Sequence, residues 1–194
     1  MHRQPDGSPW PRPPLPGYTV ADLFTLDLPR RTQLIDAGLV FAPEQCSFHS
    51  VALSLLEIGL YRSAPEELRI RRQMLVVLDA HNAPEPDLVV ITRDAVCPAG
   101  RDQYSAADVV LAVEVVSPDS ESRDRSTKPL KYAAAGIPHF WLVEMDPRTK
   151  RPVVRTHAYS AATRAYEPTG VHHERLKADE PFGIDIDLGE YDRL

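Results

Sequence analysis

The chain has 194 residues, 43% hydrophobic and 26% charged, which is the balance of a globular protein long enough for one real core. Its formal net charge is −6. That argues against a protein held to nucleic acid by a broad basic surface, but not against an enzyme that meets phosphates through a metal and a local basic patch.

No apolar run approaches the ~18 residues of a membrane-spanning helix, so no membrane role is expected. The opening MHRQPDGSPWPRPP lacks the apolar core of a signal peptide. Cys46 and Cys97 fit no metal-ligand spacing and read as reduced thiols of the cytoplasm. Pro5, Pro9, Pro11, Pro13, Pro14 and Pro16 make residues 1–17 a disordered or polyproline-like tail before a single domain over 18–194.

Thr19 to Leu26 predicts a short helix, with Thr19 and Asp22 as a capping box. Thr32 to Ile35 and Leu39 to Ala42 flank Asp36-Ala37-Gly38 as a hairpin. Phe48, Val51, Leu55 and Ile58 recur at helical steps, so Ser47 to Tyr61 is an amphipathic helix. Leu68 to Leu78 reads as one long strand and Asp87 to Thr92 as another, with a loop from Asp94 to Ala106. Val153 to Tyr159 and Ala165 to Glu167 predict a hairpin, and Ile184 to Leu188 a last short strand.

Between these lies the most informative stretch, Ala107 to Val143. An apolar run from Val109 to Val113 is interrupted by Glu114 and followed by the turn former Ser117-Pro118-Asp119-Ser120. A helix follows, expected to start near Thr127, with Pro129 in its first turn and Gly136 as its C-terminal cap. His139 to Val143 closes a strand–helix–strand crossover. Continuous β-branched runs mean a strand covered on both faces. The fold class is therefore α/β (α+β), a mixed central sheet flanked by helices.

A carboxylate on such a strand is costly unless it is paired or holds a metal. Asp87 opens one apolar strand and Glu114 stands near the end of another, so the two could share one hard divalent cation, Mg²⁺ or Mn²⁺. Lys128 and Tyr132 lie four residues apart on one helix face, with Lys131 beside them, and that face packs toward Glu114. Metal, carboxylates and ammonium together are what phosphodiester hydrolysis needs.

These residues carry a family resemblance. Pro86-Asp87, Glu114-Val115-Val116-Ser117-Pro118, Asp124-Arg125, Lys128, Tyr132, Ala135-Gly136-Ile137-Pro138 and Phe140-Trp141 resemble the Uma-family "putative restriction endonucleases" of the PD-(D/E)XK nuclease superfamily. Gln33 to Gly38, His49 and Pro181 to Asp187 extend the likeness over roughly Thr19 to Leu188. The resemblance implies a restriction-endonuclease-like sheet of four to five strands and a metal-dependent endonuclease acting on nucleic acid, with DNA the expected substrate. Asp87 matches the motif aspartate and Glu114 its acidic partner. Val116 stands where the motif lysine is expected, so Lys128 takes the catalytic ammonium role, with Lys131 as its competitor. Gln33 stands where the family typically places a glutamate. Gln33, Arg125 and Tyr132 are supporting candidates, and a homodimer would let two copies cut both strands.

A different class remains open: a non-catalytic module that keeps the nuclease-like fold to bind nucleic acid or a protein partner. Its motives are the acidic charge, Val116 and Gln33. Arg125 as a structural partner would then neutralise Glu114. Arg123 and Arg125 could instead line a phosphate track. Ser117 with His139 and Asp119 lacks the G-x-S-x-G elbow of a serine hydrolase, and the histidines lack the spacing of a helical zinc site.

Overall fold

The computed structural model describes residues 13, 15–42, 45–96 and 103–194. Most of the proline-rich stretch, Cys97 and the middle of the 94–106 segment lie outside the described residues. The elements in chain order are α1 (Val20–Thr25), β1 (Thr32–Ile35), β2 (Gly38–Phe41), α2 (Ser47–Ser63), β3 (Leu68–Arg72), β4 (Leu75–Val77), β5 (Leu88–Thr92), β6 (Gln103–Ser105), β7 (Val109–Val115), α3 (Lys128–Ala134), β8 (His139–Met145), β9 (Pro152–Ser160), β10 (Ala165–His172), β11 (Arg175–Ala178) and β12 (Ile184–Asp187).

The central sheet has six strands in the order β10-β9-β8-β7-β5-β3, one more than the upper expectation of five. β7 and β8 run parallel, joined through α3, and the other neighbours are antiparallel. Side-chain alternation splits the buried residues of the central sheet between two cores. On one face Leu88, Val90, Leu111, Val113 and Val143 pack under α2 and β12. On the other, Val89, Ile91, Ala112, Phe140 and Leu142 pack under Tyr132 and Ile137 of the α3 region. A sheet covered on both faces is why β5 and β7 read as unbroken apolar runs.

The local chemistry explains several elements. Asp22 accepts from both the backbone amide and the hydroxyl of Thr19, at 2.7 and 2.8 Å, which fixes the start of α1. The β1–β2 turn puts Asp36 and Ala37 both at positive φ, 51° and 59°, the geometry of a two-residue hairpin turn with the right twist. Gly136 sits at φ 77° beyond α3 while the Ile137 amide donates to Tyr132 O, a C-terminal cap that turns the chain into β8.

Four expectations are corrected. The long strand over 68–78 is two strands, because Gln73 takes a left-handed φ of 52° and donates its amide to Asp87 O. β3 stays on the main sheet while β4 pairs in parallel with β6. That strand, Gln103–Ser105, lies within the segment expected to be a loop. The helix expected near Thr127 is helical from residue 121, with a π-helical turn over Arg123–Thr127 that runs into α3. The buried face of α2 keeps only part of the stripe read from the sequence: Phe48 and Leu55 are buried, but Ile58 is 40% exposed and Ala52, Leu53, Leu56 and Leu60 complete the face.

Gly59 lets α2 lie close on β12. A Cβ there would stand 2.5 Å from Ile186 Cδ1 and 2.6 Å from its Cγ1. Alanine would gain about 1 kcal/mol of helix propensity, but overpacking costs about 1–3 kcal/mol. Gly59→Ala should therefore lower stability by about 1 kcal/mol in urea unfolding. A gain would mean that the helix can lift off β12 at little cost.

Candidate active site

The register of the sheet brings the two carboxylates together. Leu88 pairs with Val113 across β5 and β7, so Asp87 comes opposite Glu114, one step further, on the face shared with Val89 and Ala112. Facing positions on adjacent strands put side chains within about 5 Å of each other. Asp87 is held from two directions. Its Oδ2 accepts from the Val115 amide at 2.8 Å, and its Oδ1 lies 3.0 Å from His49 Nε2. His49 comes from the first turns of α2, and both groups are nearly closed to water.

Glu114 is 1% exposed, Asp124 1% and Lys128 4%. The Lys128 ammonium donates to Glu114 Oε2 at 2.8 Å and lies 2.9 Å from Asp124 Oδ1, in ion-pair contact without the alignment of a hydrogen bond. The Tyr132 hydroxyl donates to the other oxygen, Oε1, at 2.6 Å. Asp124, Lys128 and Tyr132 follow one another at four-residue steps. They share a face that packs over the same side of the sheet as Glu114. Val116, where the resemblance puts the motif lysine, is partly buried against the apolar core beneath that helix.

Burial pushes the Glu114 carboxyl up to about 8, against the pull of Lys128 and with Asp124 and Asp87 adding to the rise. Desolvation pulls Lys128 down, but Glu114, Asp124 and Asp87 together outweigh it and hold the ammonium charged. Burial drives the Tyr132 phenol well above its ordinary value, and Glu114 adds to the shift, so it acts as a donor.

A small cavity of about 40 Å³ opens among these groups, lined also by Arg31, Gln33, Glu85 and Ser117. That is room for a water or two. Its walls carry four carboxylates, Glu85, Asp87, Glu114 and Asp124, against two fixed cations, Arg31 and Lys128. Among the described residues no three His, Cys, Asp or Glu side chains form a ready metal cage. The donor set nonetheless fits a hard divalent cation. It is all oxygen, its carboxyl groups outnumber the cations in a buried pocket, and Mg²⁺ needs only one or two protein carboxylates because it keeps most of its waters.

The structure distributes the other candidates unevenly. Gln33 is at the site, but its amide oxygen accepts from the Glu85 backbone amide at 3.1 Å, a structural bond. Lys131 is turned away to an ion pair with Asp36 on the hairpin. Arg125 is half exposed and pairs with Glu144 at 2.7 Å and Glu121 at 3.3 Å. It is therefore not the partner of Glu114. Ser117 bonds Ser120 at 2.9 Å, while His139 lines a different cavity beside Trp141. Phe140 and Trp141 are core residues. Asp124, His49, Glu85 and Arg31 were not selected from the sequence as site residues. The Asp124–Lys128 spacing was a legible signal for the first, and a polar residue on the buried face of α2 for the second. Glu85 and Arg31 carried no local signal.

This is a nuclease fold, with the acidic pair where β5 and β7 meet. The family "Uma2: Putative restriction endonuclease" matches residues 21–189, so the chain belongs to that family. In structure it is similar to "a putative nuclease belonging to DUF820" from Anabaena variabilis ATCC 29413, at a TM-score of 0.67 and 15% identity, over 89% of this chain and 96% of that one. No curated protein matches the chain. No helix among the described residues is long and apolar enough to cross a membrane.

Two outcomes follow from the buried cluster. Lys128→Met removes the donor to Glu114 and leaves buried Asp124 without a counter-ion, and should cost about 3–5 kcal/mol in urea unfolding. The double substitution Glu114→Gln/Lys128→Met should cost clearly less than the sum of the two single ones. In EDTA, the native Glu114 keeps its proton up to about pH 8, whereas the unfolded carboxyl loses it near 4.5. The native state binds more protons in that window, so stability falls as pH rises through it. Glu114→Gln should flatten this slope; an unchanged slope would remove Glu114 as its cause.

Proposed function

We propose that this protein is a Mg²⁺- or Mn²⁺-dependent endonuclease, with Asp87 and Glu114 as metal ligands and Lys128 as the catalytic ammonium. The observation that carries the reading is the joint burial of the two facing carboxyl groups and Lys128 around one small cavity whose acidic groups outnumber its cations. Membership of the family described as "Putative restriction endonuclease" supports it.

Each residue has a task in that scheme. Asp87 is held by the Val115 amide and His49, which fixes its carboxylate before any substrate arrives. Tyr132 and Lys128 hold one oxygen each of Glu114, leaving further lone pairs open toward the cavity. Lys128, anchored also against Asp124, carries positive charge beside the place where a phosphate would lie. It can orient an attacking water or stabilise charge on the phosphoryl oxygens. A divalent cation bound there would supply the rest, an activated water and an offset for negative charge in the transition state. Duplex DNA is the proposed substrate, two copies the proposed assembly and the cytoplasm the proposed compartment.

A second reading has its own observation. Lys128 is locked between two carboxylates and no three-ligand cage is preformed among the described residues, as suits a binding module that has given up catalysis. Calorimetry separates the two, since such a module takes up no Mg²⁺ or Mn²⁺ in an Asp87-dependent manner.

Supercoiled plasmid and single-stranded oligonucleotides incubated with Mn²⁺, Mg²⁺ or EDTA should show metal-dependent nicking by the wild type. Glu114→Gln and Lys128→Ala should each reduce it at least ~100-fold, the scale of a lost electrostatic or acid–base contribution. Cleavage that survives in EDTA, or in both variants, would reject the assignment.

A further inference from the structure

Two fixed cations line the cleft, and they differ in access. Lys128 is sealed and engaged by Glu114 and Asp124. Arg31 keeps 30% of its side chain exposed at the cleft mouth, ahead of β1. Its Nε donates to Glu85 Oε1 at 2.7 Å, and Glu85 is buried, 7% exposed in its side chain. That bond uses the inner edge of the guanidinium and leaves Nη1 and Nη2 available. The amide oxygen of exposed Gln45 accepts from Nη1 at 3.0 Å and Nη2 at 3.2 Å, so a phosphate would displace this surface side chain. The Arg31 backbone is also held at φ 62°, an unfavourable conformation for a residue with a side chain. Glu85 itself is fixed by Gln33, through its backbone amide.

We infer that Arg31 is a phosphate-binding residue of the cleft, aimed by buried Glu85 so that its two terminal nitrogens take a phosphodiester of the nucleic acid next to the cleaved bond. This rests on the nucleic-acid reading above and adds a substrate contact to it. An acidic cleft repels a polyanion, and a net charge of −6 does nothing to offset that repulsion. A planar guanidinium whose two outer nitrogens exchange the Gln45 amide for a ligand matches two phosphate oxygens at once, which an ammonium cannot do. A carboxylate behind an arginine fixes the plane of the fork before the ligand arrives. Glu85 is accordingly a positioning residue.

The test measures binding of a short fluorescent duplex by anisotropy across a salt series, in EDTA and again with Ca²⁺, for the full chain. Arg31→Gln should weaken binding about tenfold or more and reduce the slope of log affinity against log salt by about 0.9, the value of one lost phosphate contact on duplex DNA. Arg31→Lys keeps the charge and the ion pair, so it should fold normally, hold the slope and still lose affinity. Glu85→Gln should raise KM more than it lowers kcat and leave the slope unchanged. Arg175→Gln, an exposed arginine paired with Asp185, serves as the control and should change nothing. Wild-type affinity and slope in Arg31→Gln, alongside intact cleavage, would overturn the phosphate site alone. Arg31-dependent binding without any cleavage would count against the nuclease reading and leave this site standing. No binding by the wild type in either condition would overturn it as well.

Discussion

Glu114 sits at the end of a strand covered on both faces, with almost no contact with water. A lone carboxylate there would be expensive, and the surrounding architecture is arranged around that cost. α3 lays Lys128 and Tyr132 on its two oxygens. Asp124 enters one turn earlier, through the π-helical stretch, and holds Lys128 from the other side. The crossover between β7 and β8 thus joins two parallel strands and also carries the counter-charge for the acid it crosses. A π-helical turn changes the phase of the residues after it, and here it directly precedes the lysine.

The second carboxylate depends on a different part of the fold. Asp87 follows a chain reversal at Gln73 and a run of two prolines, and its place opposite Glu114 is set by the β5–β7 register. A slip of one residue would turn it to the α2 face, among leucines. The Val115 amide and His49 pin it against such movement. Helices from both sides of the sheet therefore serve one cleft, α2 through His49 and α3 through Lys128. The N-terminal hairpin closes it, since Arg31 and Gln33 reach Glu85 between those prolines.

A lysine on the helix rather than at Val116 fits this geometry. Val116 and Glu114 share strand parity, so a lysine at either Val116 or Lys128 would approach the same space, one from below and one from above. With Val116 packed against the core under α3, apolar contact stabilises that corner while the charge arrives from the opposite side. The arrangement keeps an ammonium beside the acid, but places it where Asp124 can also reach it. That added partner is consistent with an ammonium held charged, despite the cost of burying it.

Patterns confined to a few neighbouring residues were readable in the chain itself. Apolar runs, the Asp36-Ala37-Gly38 turn, Pro129 and Gly136 around a helix, and an acid inside a β-branched run act through local sterics and burial. They defined the crossover, the two carboxylates and the lysine on the facing helix. Only the tertiary structure shows which lysine meets Glu114, because the position on the helix sends Lys128 to Glu114 and Lys131 to Asp36. The same holds for His49, Glu85 and Arg31, which meet at the cleft from segments far apart in the chain. Their proximity is a matter of strand register and packing, which no short window of residues encodes.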